Sequence, residues 1–587
     1  MARTANTRSF TILAQDPSVR LGGPNGRLAF AKVDVPAEVL APGPTGYRVK
    51  VVDYDAASKV LYKDLVYTTD EFRSAGDPFD LAEYGADAEG RAFEERLLGN
   101  PNFHAQNVYA IVMRTLARFE FALGRRVAWS FGGHQLHVIP HAVAEANAFY
   151  SEGDRALLFG YFPGLDGKPV FTCLSHDVVA HETTHALLDG LRTRFTEPSL
   201  PDQAGFHEAF ADIVALLSVF SLPEIVEAAL LNSADPPERE GDVRLIAREK
   251  LEPEVIRGSI LTGLAKEVGA ALTPGTEVHE MRGAALRRSV EMEPDETYLD
   301  QDEYQEEHKR GEVLVAAFMR AFLRIWLKRV SGLGTFDGRY NLDMVVEEGA
   351  KAADHLLTMA IRALDYAPPT DMDFRAYLAS LLTADAELVP DDVHGYRRVL
   401  REVFASYGIG LPDTGCLADE GTWCPFVERE AEPIVYSRTH AETMLTDRDE
   451  VFRFVWENRA ALGINERVPI EVDTVRSSIR RAPDGFFTRE TIVTYVQQID
   501  MFASECRVIL GFDRPEGMAT TQRLEIFAGG TIIFDQYGRI KFHIAHRLED
   551  AERQRKRLEY LADRGQIAPR RGLLDRFAAL HRMRAEA

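Results

Sequence analysis

Between residues 107 and 123 the apolar side chains Val108, Ile111, Val112, Leu116, Phe119 and Leu123 recur at helical spacing, and Gly124 follows as a stop. This pattern predicts a long amphipathic helix. The chain before it reads as β-rich: 47–54 is the clearest strand, and Pro42, Gly43, Pro44 and Gly46 mark a turn ahead of it. Short apolar runs at 127–131, 136–139, 146–150 and 156–162 predict the strands of a mixed sheet. Ser175 is placed to cap a following helix, with Asp177 in its first turn and Val178, Val179, Leu187, Leu188 and Leu191 available for burial. A polar loop over 196–203 leads to a second helix over 206–218, and further helices are predicted at 313–330, 352–364, 374–388 and 395–407.

The pattern changes after Gly410, where Pro412, Gly415, Gly421 and Pro425 punctuate an acidic linker. Beyond it a helix is predicted at 450–462, strands at 524–527 and 531–544 with a turn at Tyr537 and Gly538, and a charged end carrying Arg570, Arg571, Arg576, Arg582 and Arg584, read as a solvated helix face. The expected class is α+β, in four parts: a β-rich region 1–100, an α/β lobe 101–200, a helical lobe 201–410, and a linker with an accessory α+β domain 411–587.

Composition narrows the function classes. At 587 residues, 45% hydrophobic and 27% charged, the chain exceeds one compact core and is globular. A formal net charge of −23 argues against nucleic-acid and anionic-membrane partners, both of which need a basic face. No apolar run is long enough for a signal peptide or a membrane span. Cys173, Cys416, Cys424 and Cys506 are too few and scattered for a disulfide framework, and Cys416 and Cys424 are read as unpaired thiols; a cytoplasmic location is expected.

Within the helix that opens after Ser175 lies His181-Glu182-Thr183-Thr184-His185. Four residues turn about 400° in a helix, so both imidazoles emerge on one face and can grip a single Zn2+, with Glu182 beside the metal. A catalytic zinc keeps three protein ligands and a solvent position, so a third donor is required. Glu208, on the second helix, is that donor, and Asp212, one turn later, can accept the second imidazole hydrogen of a ligand histidine.

The stretch from Asp177 to Ala186, with His207-Glu208-Ala209-Phe210-Ala211-Asp212, resembles the thermolysin-like gluzincin metallopeptidases. The resemblance covers about residues 100–410 and implies a two-lobed fold in which a β-rich lobe meets a helical lobe at the zinc helix. It implies that His181, His185 and Glu208 bind zinc, that Glu182 is the general base toward a zinc-bound water, and that Asp212 orients His181. Asn147-Ala148-Phe149-Tyr150 resembles the strand on which these enzymes hold a peptide, with Asn147 and Ala148 as substrate contacts. Val178 resembles part of the apolar pocket for the residue after the cleaved bond. His308, followed by Gly311 and an apolar helix, resembles the family's oxyanion-binding histidine; His279 competes for the role but lacks those neighbours. Arg287 or Arg288 resembles the arginine that contacts the substrate carbonyl.

Three positions depart from the family pattern. Phe195 stands where a transition-state tyrosine is usual, with Tyr298 or Tyr304 as substitutes; His207 replaces an asparagine; and Val219 leaves a paired calcium site at Asp177 without its second carboxylate. The expected function is zinc-dependent cleavage of internal peptide bonds, with peptide or protein as substrate. The alternatives are a catalytically weakened zinc-containing binding protein of the same fold and a zinc hydrolase acting on other bonds.

Overall fold

The computed structural model describes residues 6–563 except 18–19, 22–26, 68–75, 82–87, 165–166, 198, 232–236, 264–288, 414–416, 431, 482–484 and 486. The architecture is mixed α+β, with 43% helix and 23% strand distributed over several small sheets. An antiparallel ribbon of β1 (Thr7–Leu13) and β2 (Phe30–Pro36) opens the chain. Then β3 (Val49–Val51) enters a five-stranded sheet with β4 (Leu136–Val143), β5 (Ala148–Ser151), β6 (Ala156–Pro163) and β7 (Pro169–Phe171). The sheet is mixed: β3 and β6 run parallel to β4, while β5 and β7 run antiparallel to β6. Residues 127–131 form no strand. The segment passes over the end of the helix that carries His181 and His185, where the Ala128 carbonyl lies 2.1 Å from where a Cβ on Gly190 would stand, a crossing that periodicity does not reveal.

Helix α1 (Pro101–Leu123) packs behind this sheet, begins earlier than its apolar period suggests because Asn100 caps it and Pro101 sits at its first turn, and ends on Gly124 at φ +65°. Helices α2 (His176–Leu191) and α3 (Pro201–Phe220) follow, both almost wholly buried. Ser175 occupies the N-cap position of α2, but its hydroxyl donates to the Asp177 carboxylate instead of capping a helix N–H. Helices α4 (Glu307–Ser331), α5 (Leu342–Ala363), α6 (Phe374–Ala386) and α7 (Tyr396–Ala405) complete the helical half. No single helix among the described residues is long and apolar enough to cross a membrane; α3 with Pro223–Leu230 passes only as a pair bent by 83°.

The crossing of α3 and α4 depends on two glycines. A Cβ on Gly205 would stand 2.8 Å from the Glu307 carbonyl, and one on Gly311 would stand 2.9 Å from the Gly205 carbonyl. Neither backbone can yield, so Gly311→Val is expected to lower stability by about 1–3 kcal/mol through overpacking. A denaturant midpoint unchanged in that variant would show that the helices separate freely.

The C-terminal part contains α8 (Arg448–Glu457), four antiparallel strands, β8 (Ile470–Arg481), β9 (Phe487–Phe502), β10 (Arg523–Phe534) and β11 (Ile540–His546), and α9 (Ala551–Asp563). The expected strands at 524–527 and 531–544 are redrawn: β10 joins the first to the start of the second without a break at Ala528-Gly529-Gly530, the turn at Tyr537-Gly538 separates it from β11, and β8 and β9 have no counterpart in the sequence reading. Ile492, Ile533, Phe542 and Ile544 of this sheet join the main apolar core. At the same contact, Ile479 N–H donates to the Gly124 carbonyl at 2.9 Å, and a buried ion network links Arg125, Asp365, Arg480, Glu490 and Lys541. The arginine-rich end beyond residue 563 lies outside the described residues. Cys424 is disulfide-bonded, which overturns its reading as a free thiol and removes the cysteine argument for a reducing compartment; Cys173 and Cys506 are free.

Candidate metal centre

Helix α2 places His181 and His185 one turn apart on a face turned toward α3, with exposures of 1% and 0%. Their Nε2 atoms face each other at 2.8 Å. The Glu208 carboxylate, from α3, stands over the pair, 3.7 Å from His181 Nε2 and 3.6 Å from His185 Nε2. Ligands about 2.0–2.1 Å from a tetrahedral zinc are about 3.3 Å from one another, and the three observed separations bracket that edge. Two helices from different parts of the sequence thus bring two nitrogens and a carboxylate into one buried cluster.

The outer ring nitrogens explain why a cation suits this cluster. His181 Nδ1 lies 2.7 Å from Asp212 Oδ1, so it carries the hydrogen and leaves Nε2 bare. His185 Nδ1 lies 2.9 Å from His207 Nδ1, and His207 Nε2 is 3.1 Å from Asp189 Oδ1. If His207 donates to Asp189 through Nε2, its Nδ1 accepts from His185, and His185 Nε2 is bare as well. Two lone pairs facing each other at 2.8 Å repel unless a positive charge lies between them, so the donor set fits zinc.

The Asp189–His207–His185 relay was not foreseen in the sequence. His207 was noted only as a replacement for asparagine, yet Asp189 repeats the four-residue spacing of His181 and His185, and that repeat was the available signal. Converting either supporting residue, by Asp212→Asn or His207→Ala, is expected to weaken zinc binding about ten- to a hundredfold. Competition against a chelating dye measures it, and affinities equal to wild type would show that these contacts do not orient the rings.

Glu182 is fully buried, and its Oε2 accepts the Tyr150 N–H at 3.1 Å. That bond ties α2 to β5. Among the described residues β5 pairs on one side only, with β6, and alternation along the strand aims the Ala148 backbone to the same side as that of Tyr150, toward α2. The Asn147 carbonyl accepts from Gly160 at 2.8 Å, while its side-chain Oδ1 already accepts from the Ala148 N–H at 2.9 Å, so only the amide NH2 end remains to meet another group. Val178 is buried on the face of α2 that carries His181.

His308 begins α4 next to the Gly205–Gly311 crossing, one turn of α3 before Glu208. No contact among the described residues joins its ring to the cluster. Its Nδ1 pairs with Glu306 Oε1 at 2.6 Å. Burial would raise the Glu306 carboxyl, but the His308 hydrogen bond and charge and the N–H groups of Lys309 and His308 outweigh it and pull the group down to about 2. Because Nδ1 is committed to Glu306, Nε2 of His308 carries a hydrogen only in the imidazolium form. Phe195 is buried edge-on against Phe206, and the Tyr298 hydroxyl donates to the Glu293 carbonyl, with Tyr304 packed on its ring. Arg287, Arg288 and His279 lie outside the described residues.

Compared with protein-family profiles and with curated protein sequences, the chain matches none.

Proposed function

We propose that this chain is a zinc-dependent metallopeptidase, built on a thermolysin-like two-lobed plan, that hydrolyses internal peptide bonds. The observation that carries the reading is the convergence of His181 Nε2, His185 Nε2 and Glu208, with Glu182 next to His181 on α2. Glu182 follows the first of these histidines on α2, and its buried carboxylate, which accepts the Tyr150 N–H, is the general base of this reading. Zinc, when bound, would supply Lewis acidity toward a scissile carbonyl and acidify a water.

The residues divide the work. An extended peptide adds to the open side of β5, where Ala148 offers its backbone carbonyl and Asn147 its amide NH2. Glu182 takes a proton from the attacking water as the carbon–oxygen bond forms, and returns it to the amine nitrogen as the carbon–nitrogen bond breaks. His308, as imidazolium, donates to the oxyanion.

The test is hydrolysis of a casein-derived peptide by chelator-stripped full-length protein before and after Zn2+ is restored. Cleavage should vanish and return, and Asn147→Ala should raise KM for the peptide while leaving turnover of a small ester unchanged. A zinc-loaded protein that cleaves no peptide overturns the proposal, and equal losses on peptide and ester would point to a zinc hydrolase acting on other bonds.

A further inference from the structure

A second group of metal-type donors lies away from the proposed catalytic cluster, between α1, β4 and the turn that leads into α2. His104 of α1, His141 of β4 and Cys173, all buried, bring a ring nitrogen each and a sulfur within 4.8 Å of one another. His104 Nδ1 and His141 Nε2 face each other at 2.8 Å, the separation found between His181 and His185. Their outer nitrogens are committed in the same way. His104 Nε2 lies 2.8 Å from the Leu98 carbonyl, which can only accept, so Nε2 holds the hydrogen and Nδ1 is bare. His141 Nδ1 lies 2.7 Å from Asp53 Oδ1, which leaves Nε2 bare in the neutral ring.

From this we infer that His104, His141 and Cys173 form a second zinc site, supported by Asp53. The donor set is characteristic of a soft, tetrahedral cation: two imidazoles and a thiolate suit zinc and are unsuited to calcium or magnesium. The site is closed. Phe171 packs against both rings, at 4.7 Å from His104 and 5.2 Å from His141, and no donor is exposed to solvent. Cys173 is held in place by its own carbonyl, which accepts from Asn107 at 2.9 Å, while Asn107 Oδ1 accepts from Leu13 N–H. Asp53 Oδ2 is buried with no hydrogen-bond partner among the described residues, which leaves one more acceptor at this locus unsatisfied by protein. Zinc bound here would take Cys173 as the thiolate, its proton passing to solvent.

The competing account is a proton: a charged His141, paired with Asp53, donating Nε2–H to His104. That account gives Cys173 no role, and the sulfur is therefore the discriminating atom. The site also has a position to defend. Cys173 stands two residues before Ser175, at the entry to α2, so the metal would pin the approach to the helix that carries His181 and His185.

The experiment uses the full-length protein and two readouts, zinc per chain by mass spectrometry and the near-ultraviolet thiolate-to-metal absorption of the Co2+-substituted form. The proposed catalytic cluster has no sulfur, so that absorption reports this site alone. Wild type should hold two zinc ions per chain and show the band. Cys173→Ser should hold one and lose the band, whereas His181→Ala should hold one and keep it. If Cys173→Ser does not fold, Cys506→Ser, which removes the other free cysteine, must retain the full band. A wild-type protein without the band, or a folded Cys173→Ser variant with an unchanged zinc count, overturns the second site and leaves the proton account. His181→Ala with two zinc ions would instead overturn the first cluster and leave this one standing.

Discussion

Glu182→Gln is expected to lower kcat for peptide cleavage by about two to four powers of ten while leaving bound zinc at the wild-type level. The amide keeps the size of the side chain and can still accept the Tyr150 N–H through its oxygen, so the contact between α2 and β5 survives. What is lost is the ability to take and return a proton. Because Glu182 is not among the residues that converge as ligands, zinc content should not move. Wild type and variant both metallated and neither cleaving would favour the weakened, binding-only protein, in which Phe195 in place of a tyrosine hydroxyl would mark the lost step. A variant with wild-type kcat would remove Glu182 from the mechanism.

Arg480→Ala is expected to cost about 3–5 kcal/mol of stability, the largest structural effect of any single change considered. Arg480 pairs with Asp365 and with Glu490, the latter at 2.6 Å, and all three side chains are at most 3% exposed. Removing the guanidinium leaves two carboxylates in a place that water does not reach. Arg125 still grips Asp365 through two bonds of 2.7 Å, and Lys541 still reaches Glu490 at 2.8 Å, which keeps the cost finite. The same site predicts an acid response. Burial would raise the Asp365 carboxyl, but the charge and hydrogen bonds of Arg125 and the charge of Arg480 win and hold it well below its ordinary value. A depressed carboxyl contributes stability that is complete above the unfolded-state value of about 3.9 and is lost as pH falls below it. Wild type should therefore lose stability more steeply than Asp365→Asn on acidification below about pH 4. Chemical denaturation across that range measures both effects, and parallel curves for the two proteins would deny Asp365 its role.

The helices were the most legible part of the sequence because each one buries a stripe with a definite period. Residues 107–123 and 374–388 carry such stripes, and α1 and α6 appear there, α1 lengthened at its capped start and α6 ending two residues early. The candidate metal cluster was legible for a different reason: its geometry is local on α2, and only the arrival of Glu208 depends on tertiary structure. Contacts made by atoms far apart in sequence left no trace. The His207–Asp189 relay required the crossing of α2 and α3, and the second donor group draws on three separate segments. Strands β8 and β9 failed for want of clean alternation: Arg476, Arg480 and Glu490 are charged, yet they point into the contact with the helical half.

The Gly205–Gly311 crossing works as a ruler. It sets how near the start of α4 can lie to the turn of α3 that bears Glu208, and with it the span between that carboxylate and the ring of His308. Any side chain larger than hydrogen at either place would lengthen the span by pushing the two rods apart, so tolerance to substitution there should track that span as much as the stability of the fold.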